Sequence, residues 1–238
     1  MLKNIIKKYI GINQNAEYRN RWLSIRLGEI PNGLRLLDAG AGQLRNKFLC
    51  AHLNYVSQDA CQYEGLGDRM GLHTGDWNTS NIDIVSDITS IPEPDESFDV
   101  ILCSEVLEHL PDPLTALDEF FRLLKPGGKL LITAPFSSLV HFSPYHYATG
   151  FSRYWYEYHL PLRNFEIGEL VPNGDWFSYE KQEAIRLPKM AHRYGDWCWP
   201  LAYLATGVFL TYFMLRGKSK LADDLACFGW HCVAVKKD

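Results

Sequence analysis

What the chain lacks narrows its reading first. Its 238 residues contain no run of about twenty apolar residues, the length a spanning helix needs. The most apolar stretch, Leu201 to Leu215, offers about fifteen and reads as a buried helix or a wall of a ligand pocket. Positive charge is not in excess: 24 Lys and Arg stand against 28 Asp and Glu, a net charge of -4. Nothing electrostatic therefore argues for nucleic acid as a partner. The six cysteines (Cys50, Cys61, Cys103, Cys198, Cys227 and Cys232) show no C-x-x-C spacing, which excludes the usual zinc and redox patterns and reads as buried free thiols in a reducing, cytoplasmic setting. No secretory pattern, low-complexity linker or internal repeat is visible. No His/Asp/Glu group has metal-ligand spacing along the chain, so no required metal is expected.

Two phosphate-binding loops are missing as well. A G-x-x-x-x-G-K-[ST] loop occurs nowhere, and the glycine turn Gly40-Ala41-Gly42 is followed by Gln43-Leu44-Arg45. Arg45 takes the place of the third glycine that a dinucleotide site needs for close helix packing. A nicotinamide oxidoreductase is disfavoured on that ground.

What is present is an alternation of strands and helices. Leu34-Arg35-Leu36-Leu37-Asp38-Ala39-Gly40-Ala41-Gly42 is an apolar strand running into an acid and two glycines, as a buried parallel strand does before a ligand-binding turn. Asn54 to Asp59 reads as a second strand ending in an acid about twenty residues on, where a carboxylate meets a ribose. Ile82 to Ile88 reads as a third strand ending in the pair Asp87-Ile88. Ser97 to Leu110 carries a fourth strand and the start of a helix, and Leu123 to Thr133 a helix end, a Pro-Gly-Gly turn and a fifth strand. Glu166 to Val171 is a sixth strand, Trp176 to Leu187 a helix, and Gly229 to Lys236 a returning edge strand. Residues 1–33 form a helical N-terminal extension, 34–135 the α/β core and 136–238 an elaboration with the last strands, within one structural domain. Met1 to Asn13 has Leu2, Ile5, Ile6, Tyr9 and Ile10 on one helical face, a helix that either covers the core or touches a membrane surface peripherally.

The order D-x-G-x-G, strand-end acid, Asp-Ile, F-D-V-I-x-x-x-x-V-L-E-H and L-K-P-G-G-x-L resembles the class I S-adenosylmethionine-dependent methyltransferases, closely over residues 34–135. It is most similar to the broad group of small-molecule, type 11-like enzymes acting in quinone biosynthesis and on sugars. The resemblance implies a doubly wound, seven-stranded, mostly parallel Rossmann-like α/β sheet whose last strand inserts antiparallel beside the sixth. It implies S-adenosylmethionine as cofactor, with S-adenosylhomocysteine as product. Asp38, Gly40 and Gly42 then meet its methionine part, Asp59 its ribose, Asp87 and Ile88 its adenine, and Ser104 and Glu105 its amino-acid end. The family pattern carries one more glycine, where Leu44 stands here.

The segment Pro135 to Tyr156 leaves the fifth strand at its ligand-binding end and is dense in aromatic rings. Tyr145, Tyr147, Arg153 and Tyr154 are its candidate acceptor contacts, with a salt bridge to a nearby Glu the other reading of Arg153. A hydroxyl acceptor needs a base, and His141 and His146 are the candidates by position, His109 the third. His109 also reads as a positioning residue. Glu108 reads as a solvated helix residue or a helix N-terminal charge, and Asp112 as the start of the next helix. The expected activity is methyl transfer to a small molecule at oxygen, a sugar or glycan precursor among the acceptors, by a monomer or homodimer. The alternative is an inactive module that binds the cofactor or its product and regulates a partner.

Overall fold

The computed structural model describes residues 13–216 and 222–237. The amphipathic stretch Met1 to Asn13 lies outside these residues except for Asn13. The chain divides into two compact units, each described by itself: residues 19–171 with 229–237, and residues 13–18 with 172–216 and 222–228.

Seven strands form one sheet in the order β3-β2-β1-β4-β5-β7-β6. They are β1 (Arg35–Ala39), β2 (Asn54–Asp59), β3 (Ile84–Val85), β4 (Phe98–Ser104), β5 (Leu124–Pro135), β6 (Phe165–Asn173) and β7 (Gly229–Lys236). β1 pairs in parallel with β2 and with β4, and four of its five residues are buried. That placement explains why it is written Leu-Leu-Asp-Ala without alternation, since a parallel strand is covered on both faces. β7 runs antiparallel to β5, from Lys129↔Val235 to Pro135↔Gly229, as expected. β3 is shorter than its sequence suggested. Asp83 turns its carboxylate onto the Ser57 N–H and hydroxyl, and Gln58 takes the Ser86 carbonyl, so side chains occupy groups that a longer ladder would use.

The helices of the first unit pack where the periodicity puts them. In α1 (Gln14–Gly28), Trp22, Leu23 and Leu27 join Leu36, Val100, Leu102 and Leu131 in one core cluster. In α2 (Pro113–Leu123), Asp112 is the N-cap, accepting from the Leu114 and Thr115 N–H groups, and Pro113 fills the first turn. The short α3 (Arg153–His159) follows the aromatic loop. The expected helix directly after β4 is instead a single 3-10 turn, Leu107–His109; Pro111 ends it and the Asp112 cap restarts the chain as α2.

The second unit holds a helical hairpin, α4 (Trp176–Arg193) and α5 (Trp199–Leu215). Asp175 caps α4 through the Ser178 N–H, and the Thr206 hydroxyl donates to the Ala184 carbonyl at 2.8 Å between the two helices. The expectation of a buried helix at Leu201 to Leu215 is corrected here. Of α5 only Thr206 is buried, while Leu204 is 69% and Val208 72% exposed. Among the described residues no helix is long and apolar enough to cross a membrane.

Candidate active site

Open parallel sheets bind ligands beyond the carboxyl ends of their strands, and the chemistry of this chain gathers there. At the end of β1 the turn doubles back on β2: the Gly40 and Ala41 N–H groups both donate to the Gln58 carbonyl at 2.9 Å. Gly40 has φ +74° and Gly42 φ +51°, the left-handed region open to glycine. A Cβ on Gly40 would stand 2.5 Å from a methyl of Val106, and one on Gly42 2.7 Å from the Trp77 ring. Leu44 itself takes φ +58°. The position where the family pattern has glycine thus keeps a glycine-like backbone despite its side chain, at a cost of about 1–2 kcal/mol.

The strand-end acids have unequal settings. Asp59 accepts from the Gly42 N–H at 2.9 Å and the Cys61 N–H at 2.7 Å, which ties the turn to β2 and leaves further lone pairs on both oxygens. Asp87 is exposed, and the Thr89 N–H and hydroxyl hold its carboxyl below the usual range. Ile88 beside it is buried. Asp38 corrects the sequence reading. It is 1% exposed and accepts from the Tyr55 hydroxyl at 2.7 Å, so its carboxylate turns into the protein. Burial, reinforced by the charge of Asp59 and opposed by hydrogen bonds from Tyr55 and Asn46, raises its pKa to about 6.

Past β4, Ser104 and Thr133 share a hydroxyl–hydroxyl bond of 2.9 Å. Glu105 has φ +57°, its N–H donates to the Thr133 carbonyl at 2.8 Å, and its carboxylate accepts from Arg19 at 2.7 Å and from the Thr133 hydroxyl at 3.1 Å. Sequence reasoning missed Arg19, whose place on α1 gave no sign of a partner 86 residues away.

Glu108 is the larger correction. It is fully buried, and neither carboxylate oxygen has a hydrogen-bond partner. Burial, then the nearby Glu105 charge, pushes its pKa well up. Its backbone carbonyl accepts from the Tyr147 and Ala148 N–H groups, which folds the aromatic loop over the 3-10 turn. The loop thereby brings His109, His141 and His146 together, with ring centroids 4.7, 4.9 and 6.0 Å apart. His109 Nδ1 donates to the Tyr145 carbonyl and His141 Nδ1 to the Leu139 carbonyl. A carbonyl only accepts, so each Nδ1 carries the proton. Burial, then the neighbouring His141, lowers the His109 pKa to about 4, and the same causes lower that of His146.

A second loop, residues 60–83, closes on the first. The Ser143 hydroxyl bonds the Met70 carbonyl and Leu72 bridges to His141. Trp77 meets Tyr63 and Phe142 edge to face at 5.8 and 4.8 Å, Tyr63 and Phe142 lie tilted at 4.4 Å, and Phe142 lies 5.0 Å from His109. An aromatic wall therefore runs from the Gly42 turn to the histidines. Nothing in the linear sequence marked Tyr63 or Trp77, because loop 60–83 has no periodicity to reveal its partner. The candidate acceptor contacts divide. Tyr145 holds His109 through its carbonyl, but Tyr147 and Tyr154 are 54% and 71% exposed. Arg153 pairs with Glu157 one turn along α3, the second of the two readings of that residue. Four of the six cysteines are buried.

The fold and this site define an α/β protein whose glycine turn, strand-end acids and aromatic wall suit a nucleoside bearing a cationic tail. Comparison with known proteins says which: a family model described as a methyltransferase domain matches residues 12–195, and the chain belongs to that family, the class I S-adenosylmethionine-dependent methyltransferases. The chain is 34% identical over 106 residues to a ubiquinone biosynthesis O-methyltransferase of Xylella fastidiosa, covering 43% of this chain and 42% of that protein. It is 33% identical over 141 residues to a demethylmenaquinone methyltransferase of Renibacterium salmoninarum, covering 56% of each. The chain thus spans about half the length of the curated relatives it matches. Among solved structures it resembles the cyclase SpnF, with a TM-score of 0.55 at 19% identity over 90% of this chain and 80% of that one. It also resembles phosphoethanolamine N-methyltransferase 2 of Haemonchus contortus in complex with S-adenosyl-L-methionine, with a TM-score of 0.52 at 18% identity over 95% and 53%. Both likenesses speak for the fold.

Proposed function

We propose that the protein methylates a hydroxyl oxygen of a small molecule with S-adenosylmethionine. The observation that carries this reading is the aromatic path from the glycine turn after β1 through Trp77 and Phe142 to His109 after β4. The ubiquinone biosynthesis O-methyltransferase of Xylella fastidiosa that shares sequence with part of this chain supports oxygen as the acceptor atom.

The residues present fit the cofactor. Asp59 keeps acceptor capacity for two ribose hydroxyls, and Asp87 and Ile88 offer a carboxylate and an apolar face for an adenine. Glu105 and Ser104 are the candidates for its amino-acid end. When bound, S-adenosylmethionine supplies an electrophilic methyl group on a sulfonium. The chain's part is to hold, exclude and deprotonate. Tyr63, Trp77 and Phe142 exclude water and favour a cation by their ring faces, and positioning supplies much of the rate. The imidazole cluster draws the proton from the acceptor hydroxyl, with His109 fixed by Tyr145 as the orienting member. A quinol, a phenol and a sugar precursor all present such a hydroxyl.

The test is titration calorimetry with S-adenosylhomocysteine, followed by transfer of labelled methyl to a panel of phenolic, quinol and sugar acceptors. Saturable binding that Asp59→Ala weakens, with label in at least one hydroxyl acceptor, supports the reading. Folded protein that binds no S-adenosylhomocysteine overturns it.

A further inference from the structure

We propose that His109, His141 and His146, with Glu108, form a binding site for one divalent transition-metal ion. No spacing in the chain announces such a site: two of the histidines lie on the loop after β5 and the other two residues on the 3-10 turn after β4. The fold joins them. One ring nitrogen from each of the three histidines lies within 4.8 Å of the others. Glu108 Oε1 stands 3.8 Å from His109 Nε2 and 3.9 Å from His141 Nε2.

Three further observations bear on a metal in particular. His109 and His141 each spend Nδ1 on a backbone carbonyl, the support that metal-ligating histidines usually have, because it fixes the tautomer and leaves a bare Nε2. In both residues that bare Nε2 is the atom facing Glu108. His146 has both ring nitrogens sealed from solvent without a hydrogen-bond partner, and both Glu108 oxygens are in the same condition. Buried polar atoms are nearly always partnered, and a cation would take one ring nitrogen of His146 and the Glu108 carboxylate together with the bare Nε2 atoms of His109 and His141. Neighbouring ligand atoms on one ion at about 2.0–2.1 Å are about 2.9–3.4 Å apart, so the cluster would close on an ion by side-chain rotation. Three imidazoles and one carboxylate favour zinc, cobalt, nickel or iron over the oxygen-seeking magnesium.

The role of the ion rests on the methyl-transfer reading, whereas its binding does not. Where the acceptor sits at the cluster, the ion would hold the acceptor oxygen and weaken its O–H bond. With the ion bound, the imidazoles would serve as its ligands in place of the base role given them above, and the proton of the ion-held hydroxyl would pass to solvent water. A vicinal pair of oxygens, as in a catechol-like quinol precursor or a sugar diol, would fill two open positions at once.

The probe is Co²⁺, added to chelator-treated full-length protein and followed by calorimetry and visible absorption. The expected result is one ion per chain with a nitrogen-ligand absorption band. Affinity should fall at least about 100-fold in His141→Ala and in His146→Ala, and clearly in Glu108→Gln. His52→Gln, whose ring bonds the Ile30 carbonyl away from the cluster, should bind as the parent does. Circular dichroism shows which variants fold. His141→Gln, at a partly exposed loop position, carries the test if His146→Ala does not. No saturable Co²⁺ binding by the folded parent overturns the proposal, and so does full affinity in the folded His141 variants. S-adenosylhomocysteine titrations on the same samples separate the two ideas: Co²⁺ bound without S-adenosylhomocysteine sinks the function and spares the site, and the reverse sinks the site alone.

Discussion

Asp38 offers the most quantitative test of the core. Its carboxyl is buried in the centre of the sheet, with a pKa raised to about 6 against about 4 in an unfolded chain. The folded state therefore holds this proton between pH 4 and 6 after the unfolded state has released it. The group's full stability is present below about pH 4 and is lost as pH rises through 6. Two pKa units at 1.36 kcal/mol each amount to about 3 kcal/mol. Asp38→Asn removes the titration while keeping an acceptor for the Tyr55 hydroxyl. The unfolding free energy of the variant minus that of the parent should therefore climb by about 3 kcal/mol from pH 4 to pH 7.5 and flatten above. The difference is the quantity to measure, because His231 acts the opposite way in the same window. Its burial, then the Arg19 charge, lowers its pKa to about 3, so folding loses stability as pH falls below about 6.5. Both proteins carry His231, and it cancels in the subtraction. Urea titrations by tryptophan fluorescence at four pH values suffice. A difference flat to within about 0.5 kcal/mol would refute the reasoning, since Asp38 would then ionise as freely as in the unfolded chain.

The other consequences are simpler. Gly40→Ala should cost about 2–4 kcal/mol in urea unfolding, from left-handed strain plus the clash with Val106. Adding Val106→Ala should recover about 1–2 kcal/mol of it, and additive effects would locate the strain elsewhere. Asp59→Ala, which frees the Gly42 and Cys61 N–H groups, should weaken S-adenosylhomocysteine about tenfold or more by calorimetry, about 1.4 kcal/mol. On the hairpin, Leu204→Ser should change thermal stability by less than about 0.5 kcal/mol, because the side chain is already in water. Thr206→Val, which loses the bond to Ala184, should cost about 1 kcal/mol.

The sheet was largely legible because each of its strands is written in its own residues: a buried parallel strand is an apolar run, and the acids at Asp38, Asp59 and Asp87 mark where three of them end. The order of β7 between β5 and β6 came with the family resemblance. Failures cluster where meaning depends on a partner distant in the chain. Asp38 looked like a ligand-facing acid because nothing in its neighbourhood names Tyr55. Glu108 looked solvated because a carboxylate on a turn normally is, and only the loop folded onto its carbonyl by Tyr147 and Ala148 buries it. Leu201 to Leu215 looked buried because apolar residues on all sides of a helix usually are, yet α5 exposes most of them.

The pairing of Arg19 with Glu105 leads to a last prediction that tests the charge logic of the whole cluster. Two carboxylates stand side by side there. Glu105 is neutralised by Arg19 at 2.7 Å, while Glu108 is buried without a partner and feels Glu105 as a repulsive neighbour and Arg19 as a weaker attractive one. Remove Arg19 and the negative charge of Glu105 is left to act across a poorly solvated interior, where charges are less screened than at the surface. A cation at the histidines would then gain attraction from Glu105 and lose repulsion from Arg19. Arg19→Ala should therefore tighten Co²⁺ binding about tenfold, about 1.4 kcal/mol, even as it costs about 1 kcal/mol of stability through the lost ion pair, which is partly solvated. A variant that loses stability and cobalt affinity together would mean that Arg19 holds the turn in shape and that the charge of Glu105 does not reach the cluster.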